Sequence, residues 1–170
     1  MKDDLLVQIR AIYRTLYAAK KHDYKRSLSF GDYFTDRWGR AESEGFGEGT
    51  SVYDNVLILG EVLVGKNVWV GPNCILDGSG GLEIGDFCSI SAGVQIYSHH
   101  TVKQATSLGT LPIETAATKI GTGVYIGPNS VIQMGVTIGD RAVIGAMSLV
   151  NRDVAADTTV YGIPARAQIA

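Results

Sequence analysis

The chain has 170 residues, enough for one compact domain with a real core and too few for two ordinary ones. Its 15 Lys and Arg against 17 Asp and Glu give a formal net charge of -2, so no global field draws it to nucleic acid. Only 19% of residues are charged and 21 are glycine, a composition that calls for many tight turns.

The first stretch, MKDDLLVQIRAIYR, breaks its apolar residues with Asp3, Asp4, Gln8 and Arg10, unlike the continuous apolar run of a signal peptide. No segment reaches the ~20 consecutive apolar residues of a membrane span, so a cytoplasmic protein is expected. Leu5, Leu6, Ile9, Ile12, Tyr13, Leu16 and Tyr17 recur at helical spacing and predict a helix over residues 3–26 that covers the open lower end of the structure that follows. Its basic residues read as a solvated face, or else as a contact to an anionic membrane surface or a lipid-linked sugar. Residues 29–49 are rich in aromatics and glycine and read as packing material or a wall of an acceptor pocket.

From residue 51 a six-residue period takes over. Aliphatic residues recur at Val52, Ile58, Val64, Val70 and Leu76, resume at Ile84, Ile90 and Ile96, and run on through Ile120, Ile126, Ile132, Ile138, Ile144 and Val150. A second column of small or β-branched residues keeps the same period four positions later, from Val56, Val62, Val68 and Cys74 to Ser148 and Val154. A surface strand would alternate every two residues and a helix every 3.6. Period six instead makes each hexad one short strand and one corner, three hexads make a triangular coil, and residues 18 apart stack at strand spacing. The expected fold is an all-β solenoid, a parallel β-helix over residues 51–170, preceded by a helical region and connector over residues 1–50.

Two interruptions break the register. GSGGLE at Gly78 to Glu83 adds two residues, a small bulged corner; the segment 97–119 adds eighteen to one corner, a long loop of the kind that carries function. Cys74 and Cys88 lack metal-ligand or redox spacing, fall on different faces of the coil and read as small buried residues.

His99 and His100 sit together where the long loop leaves the coil. Tracing the faces places the hexad beginning at Leu76 one coil beneath that beginning at Ile96, so Asp77 stacks under Tyr97 and Ser79 under His99. A carboxylate and a hydroxyl thus come within reach of an imidazole, the side chain best suited to proton exchange near neutral pH.

The run ISAGVQIYSHHTVK (Ile90 to Lys103), the run KIGTGVYIGPNSVIQMGVTIGDRAVIGAMSLVNRDV (Lys119 to Val154) and the ending YGIPAR (Tyr161 to Arg166) resemble the hexapeptide-repeat acyltransferases with a left-handed β-helix. They are most similar to the sugar O-acetyltransferase branch that includes the maltose and galactoside acetyltransferases. The resemblance implies transfer of an acetyl group from acetyl-CoA, with no metal, at a site shared between subunits of a homotrimer. It maps the general base onto His99, with His100 an acceptor contact or a bystander. Gly127, Gly145 and Ala146 fall on the seam where the family's backbone amides meet the CoA arm, although Pro128 has no N–H to give there. Arg152 and Arg166 suit CoA phosphates by charge. Asn73, Asp77 and Tyr97 are the candidate acceptor contacts, and a sugar hydroxyl is the expected acceptor. N-acetylation of an amino sugar is the alternative. A zinc carbonic anhydrase on the same fold needs three histidines, leaving His22 as the remote third, and a non-catalytic binding solenoid is the remaining rival.

Overall fold

The computed structural model describes residues 2–167; the last three residues of the expected coil domain, 168–170, lie outside the described residues. From Ser51 onward the chain winds as a left-handed parallel β-helix of hexapeptide repeats. The first face stacks Ser51–Val52, Trp69–Val70, Ser89–Ile90, Tyr125–Ile126, Val143–Ile144 and Thr159–Gly162, all parallel. The second stacks the starts of Leu57–Val64 and Ile75–Ile84 beneath Gln95–Ile96, Val131–Ile132 and Leu149–Val150. The third stacks the ends of the same two long strands beneath Thr118–Ile120 and Thr137–Ile138.

Register offsets measure the two interruptions directly. Ser51 pairs with Trp69, the bare 18-residue repeat. Leu76 pairs with Ile96, which carries the two extra residues, and Ile84 pairs with Ile120, which carries the eighteen of the loop. Higher up, Tyr125 pairs with Val143 and the 18-residue spacing returns.

Both inward columns are buried along the prism except at its lower end, where Ile58 and Val62 are partly buried; Val70, Leu76, Ile90, Ile96, Ile126, Ile132 and Ile144 stand at 0% exposure. Corners turn on residues with left-handed backbone; Asn73 (φ 60°) and Asn129 (φ 58°) take that conformation because a short amide side chain tolerates it. Cys74 and Cys88 are buried on different corners, their Sγ atoms 3.0 Å from the Ser91 and Gly121 carbonyls, and burial raises both thiols, Cys74 to about 11.

The lower end is closed differently from expectation. Helix α1 (Lys2–Tyr24) packs chiefly on the 3-10 turn Gly31–Tyr33, where Tyr13 meets the Phe30 and Tyr33 rings at 5.6 and 5.3 Å. The plug is helix α2 (Arg37–Ser43) and the turn after it: Ala41 and Phe46 join the core, while the Arg40 guanidinium donates to the carbonyls of Tyr53 and Val56. Asp36 caps α2 by accepting from the Trp38 and Gly39 amides. The sequence pattern misplaced this role because α1 has the longer amphipathic run, whereas a coil end needs only a few small and aromatic residues and a donor for its exposed carbonyls.

Since each inward aliphatic touches the coils above and below it, Ile126→Ala should leave a cavity and cost about 3 kcal/mol. Urea unfolding should show a lower midpoint at unchanged slope.

Candidate active site

The second corner, between faces two and three, carries the loop. Its base is a two-residue antiparallel ladder, His99 opposite Thr115 and His100 opposite Glu114, with the one-turn helix α3 (Val102–Thr106) beyond it. Successive strand residues point to opposite sides, so the two histidines do not share a direction.

Asp77 lies directly beneath this ladder, in the strand one coil below. It was expected to contact an acceptor, and that expectation is corrected by its burial: its side chain has 0% exposure and both oxygens are engaged internally. Oδ1 accepts from the Ser79 amide at 3.0 Å and the Ser79 hydroxyl at 2.6 Å. Oδ2 accepts from the Ser98 amide at 2.9 Å and faces His99 Nδ1 at 2.6 Å. Ser79 therefore holds Asp77 rather than His99. Burial pushes the Asp77 carboxyl up, but the hydrogen bonds from Ser79, Ser98 and His99 outweigh it and hold the group down at about 2. Because a carboxylate only accepts, Nδ1 of His99 must donate, and in the neutral ring Nε2 then carries the lone pair. Nε2 has no hydrogen-bond partner among the described residues, and the His99 side chain keeps 27% exposure. The arrangement is an oriented imidazole ready to accept a proton at one atom.

Ser98 was not singled out by its sequence. It is fully buried, its hydroxyl accepting from the Gly80 amide at 2.8 Å and lying 3.4 Å from Asp77 Oδ2. A serine between Tyr97 and the histidines, at an inward position of the loop corner, was the available signal. Lys103 and Glu114, also missed, form a 2.6 Å ion pair across the loop. His100 Nδ1 lies 3.6 Å from Glu114 Oε2, beyond hydrogen-bond distance, and is buried without a partner.

The other expected residues divide by corner. Tyr97 shares the His99 corner, partly buried, its hydroxyl donating to Gln95 Oε1 at 2.8 Å. Asn73 lies at the opposite end of the second face, on an exposed corner, bonded to Asn55. Gly127, Gly145 and Ala146 lie on that first corner two and three coils higher, and a Cβ on Gly127 would collide with the Ala146 amide. The amides of Gly127 and Gly145 already donate to the Ile144 and Val160 carbonyls at 2.8 Å, so neither is free for a ligand, a correction to the expected donor set. Ala146 is exposed and its N–H has no acceptor among the described residues. Arg152 and Arg166 meet in one groove of about 370 Å³ at the upper end of the coil, lined also by Val150, Val154 and Val160. His22 is exposed on α1 beside Asp23, and among the described residues no three His, Cys, Asp or Glu side chains gather as a metal site.

Comparison with known proteins agrees with the coil. A model of the bacterial transferase hexapeptide (six repeats) matches residues 117–152, and one of the hexapeptide repeat of succinyl-transferase matches residues 61–98. Galactoside O-acetyltransferase of Escherichia coli strain K12 is 32% identical over 108 residues, 61% of this chain and 51% of that protein; the chain spans about half the length of the first curated relatives it matches. Among solved structures, an N-acyltransferase from Bacillus cereus in complex with dTDP and 3-hydroxybutyryl-CoA is 26% identical with a TM-score of 0.65, covering 72% of this chain and 70% of that one. A hexapeptide-repeat acetyltransferase from Vibrio cholerae complexed with acetyl coenzyme A is 28% identical with a TM-score of 0.56, covering 94% and 87%. The six-residue period, the stacked triangular coil and these matches together make the chain similar to the hexapeptide-repeat acetyltransferases with a left-handed β-helix.

Proposed function

We propose that the protein transfers an acetyl group from acetyl-CoA to a hydroxyl of a sugar or polysaccharide precursor, with His99 as general base. The observation that carries the reading is the 2.6 Å contact of His99 Nδ1 with the buried, ionised Asp77, which leaves Nε2 as a proton acceptor beside an extruded loop. The relatives support the reagent and the acceptor class: solved neighbours are complexed with CoA thioesters, and a curated relative is named for O-acetylation of a galactoside. The Bacillus cereus N-acyltransferase, of which a variant is also solved in complex with dTDP-4-amino-4,6-dideoxyglucose and coenzyme A, favours a second reading, acylation of an amino sugar by the same proton transfer.

In this mechanism the acceptor O–H attacks the thioester carbonyl directly while His99 Nε2 takes its proton. The new C–O bond forms, the C–S bond breaks, and the proton passes from His99 to the departing CoA thiolate. Cys74 and Cys88 take no part, because both thiols are buried inside the coil and held protonated. Asp77 keeps the ring in the required tautomer and stabilises the imidazolium as it forms. Arg152 and Arg166 receive the CoA phosphates in the upper groove, the free Ala146 N–H contacts the pantetheine arm, and Gly127 and Gly145 line its path. Tyr97, His100 and Asn73 are the groups we assign to the acceptor side. Since His99 and Ala146 lie on different corners of the prism and two coils apart, a single site needs neighbouring subunits, and we infer a homotrimer in the cytoplasm, the compartment that supplies acetyl-CoA.

His99→Ala should lower kcat/KM by about 100- to 10,000-fold with the fold retained by circular dichroism, measured as thiol release from acetyl-CoA against a panel of sugars and amino sugars. Thiol release unaffected by the substitution would sink the general-base assignment. Asp77→Asn should cost roughly 100-fold or more in kcat, because a neutral amide no longer fixes the tautomer. The same substitution has a pH signature. Asp77 is held below its unfolded value, so its contribution of about 2 kcal/mol is present above pH ~4 and is lost as pH falls toward about 2. Acid unfolding of Asp77→Asn should be correspondingly flatter across that window. Arg152→Glu combined with Arg166→Glu should raise KM for acetyl-CoA about tenfold or more with little change in kcat.

A further inference from the structure

We propose that helix α1 is an arm that packs against the lowest coil of a second copy of this chain. Leu5, Ile9 and Ile12 fall on one stripe of α1, spaced i, i+4 and i+7, and stand 58%, 37% and 51% exposed. The same stripe continues into Tyr13, Leu16 and Tyr17, which are partly covered, so the stripe is used at one end of the helix and left open at the other.

A matching surface lies at the bottom of the coil. Strand Leu57–Val64 carries Leu57, Leu59 and Leu63 outward at 57%, 43% and 57% exposure, and it pairs with a strand neighbour on its upper side alone among the described residues. A row of three exposed leucines calls for a cover.

Charge identifies the occupant. Residues 1–26 hold seven Lys and Arg against three Asp, a net charge of +4, with Arg10 and Arg14 in one row beside the stripe. Residues 41–65 hold Glu42, Glu44, Glu48, Asp54 and Glu61 and no Lys or Arg, a net charge of -5. Each surface pairs an exposed aliphatic row with charge opposite to the other's. Within one protomer α1 packs chiefly on the 3-10 turn, which leaves the complement to be met between copies. Such a head-to-tail contact repeats around a rotation axis and closes a ring.

The test reads mass rather than turnover, so its outcome is separate from the acetyl-transfer reading. Analytical ultracentrifugation of the full chain over a dilution series should show a closed oligomer. Ile9→Lys, a change at an exposed position, should shift its dissociation midpoint at least tenfold to higher concentration with circular dichroism unchanged. Reversing the arm with Arg10→Glu and Arg14→Glu should dissociate it as well, and adding Asp54→Lys and Glu61→Lys should restore assembly. An oligomer indifferent to Ile9→Lys and to the arm reversal, or a chain monomeric throughout, would overturn the proposal. So would binding of the wild type to vesicles of anionic phospholipid, lost in Ile9→Lys with the mass unaltered, which would assign the arm to a lipid surface.

Discussion

Everything in this molecule depends on stacking one coil on the next in register. A hexad is too short to bury anything by itself: its single inward aliphatic becomes core only when another lies above and below it, as Ile90, Ile126 and Ile144 do on the first face. The backbone obeys the same rule, since each strand of two residues finds its hydrogen bonds in neighbouring coils. The prism is therefore rigid along its axis, and side chains at the corners inherit that rigidity.

The site makes use of it. Burying a carboxylate with no solvent contact is costly unless donors replace the water, and Asp77 has them from two levels of the stack: Ser79 in its own coil, Ser98 and His99 in the one above. A shift of one coil against the other would strand that charge. The imidazole is thus positioned by the ladder that forms the core, while the part of the loop facing solvent adds no constraint on Nδ1.

Much of this was legible in the residues because period six is unlike any other pattern, and a repeat of eighteen plus the two residues inserted at Gly78 to Glu83 places Leu76 beneath Ile96. The same counting brought the Asp77 carboxylate within reach of the imidazole, where it is found, but could not show that its burial keeps it from an acceptor, since a register says which residues are level and not which atoms point inward. Gly145 shows a related limit: its position in the seam is plain from the repeat, yet the commitment of its amide to Val160 depends on the coil above. The closure of the lower end was illegible for a different reason. Arg40 satisfies carbonyls of Tyr53 and Val56 that belong to a corner thirteen and sixteen residues away, and no periodicity marks such a contact.

The loop closes on itself before it returns to the coil. His99 and His100 pair with Thr115 and Glu114, so the chain enters and leaves through adjacent strands, and Ile120 resumes the third face as though nothing had intervened. Among the described residues the tip beyond that ladder adds no strand to the prism. Its length and composition can vary while the stacking and the contact of Asp77 with His99 stay as they are, so that the tip is an exchangeable cassette on a fixed hinge.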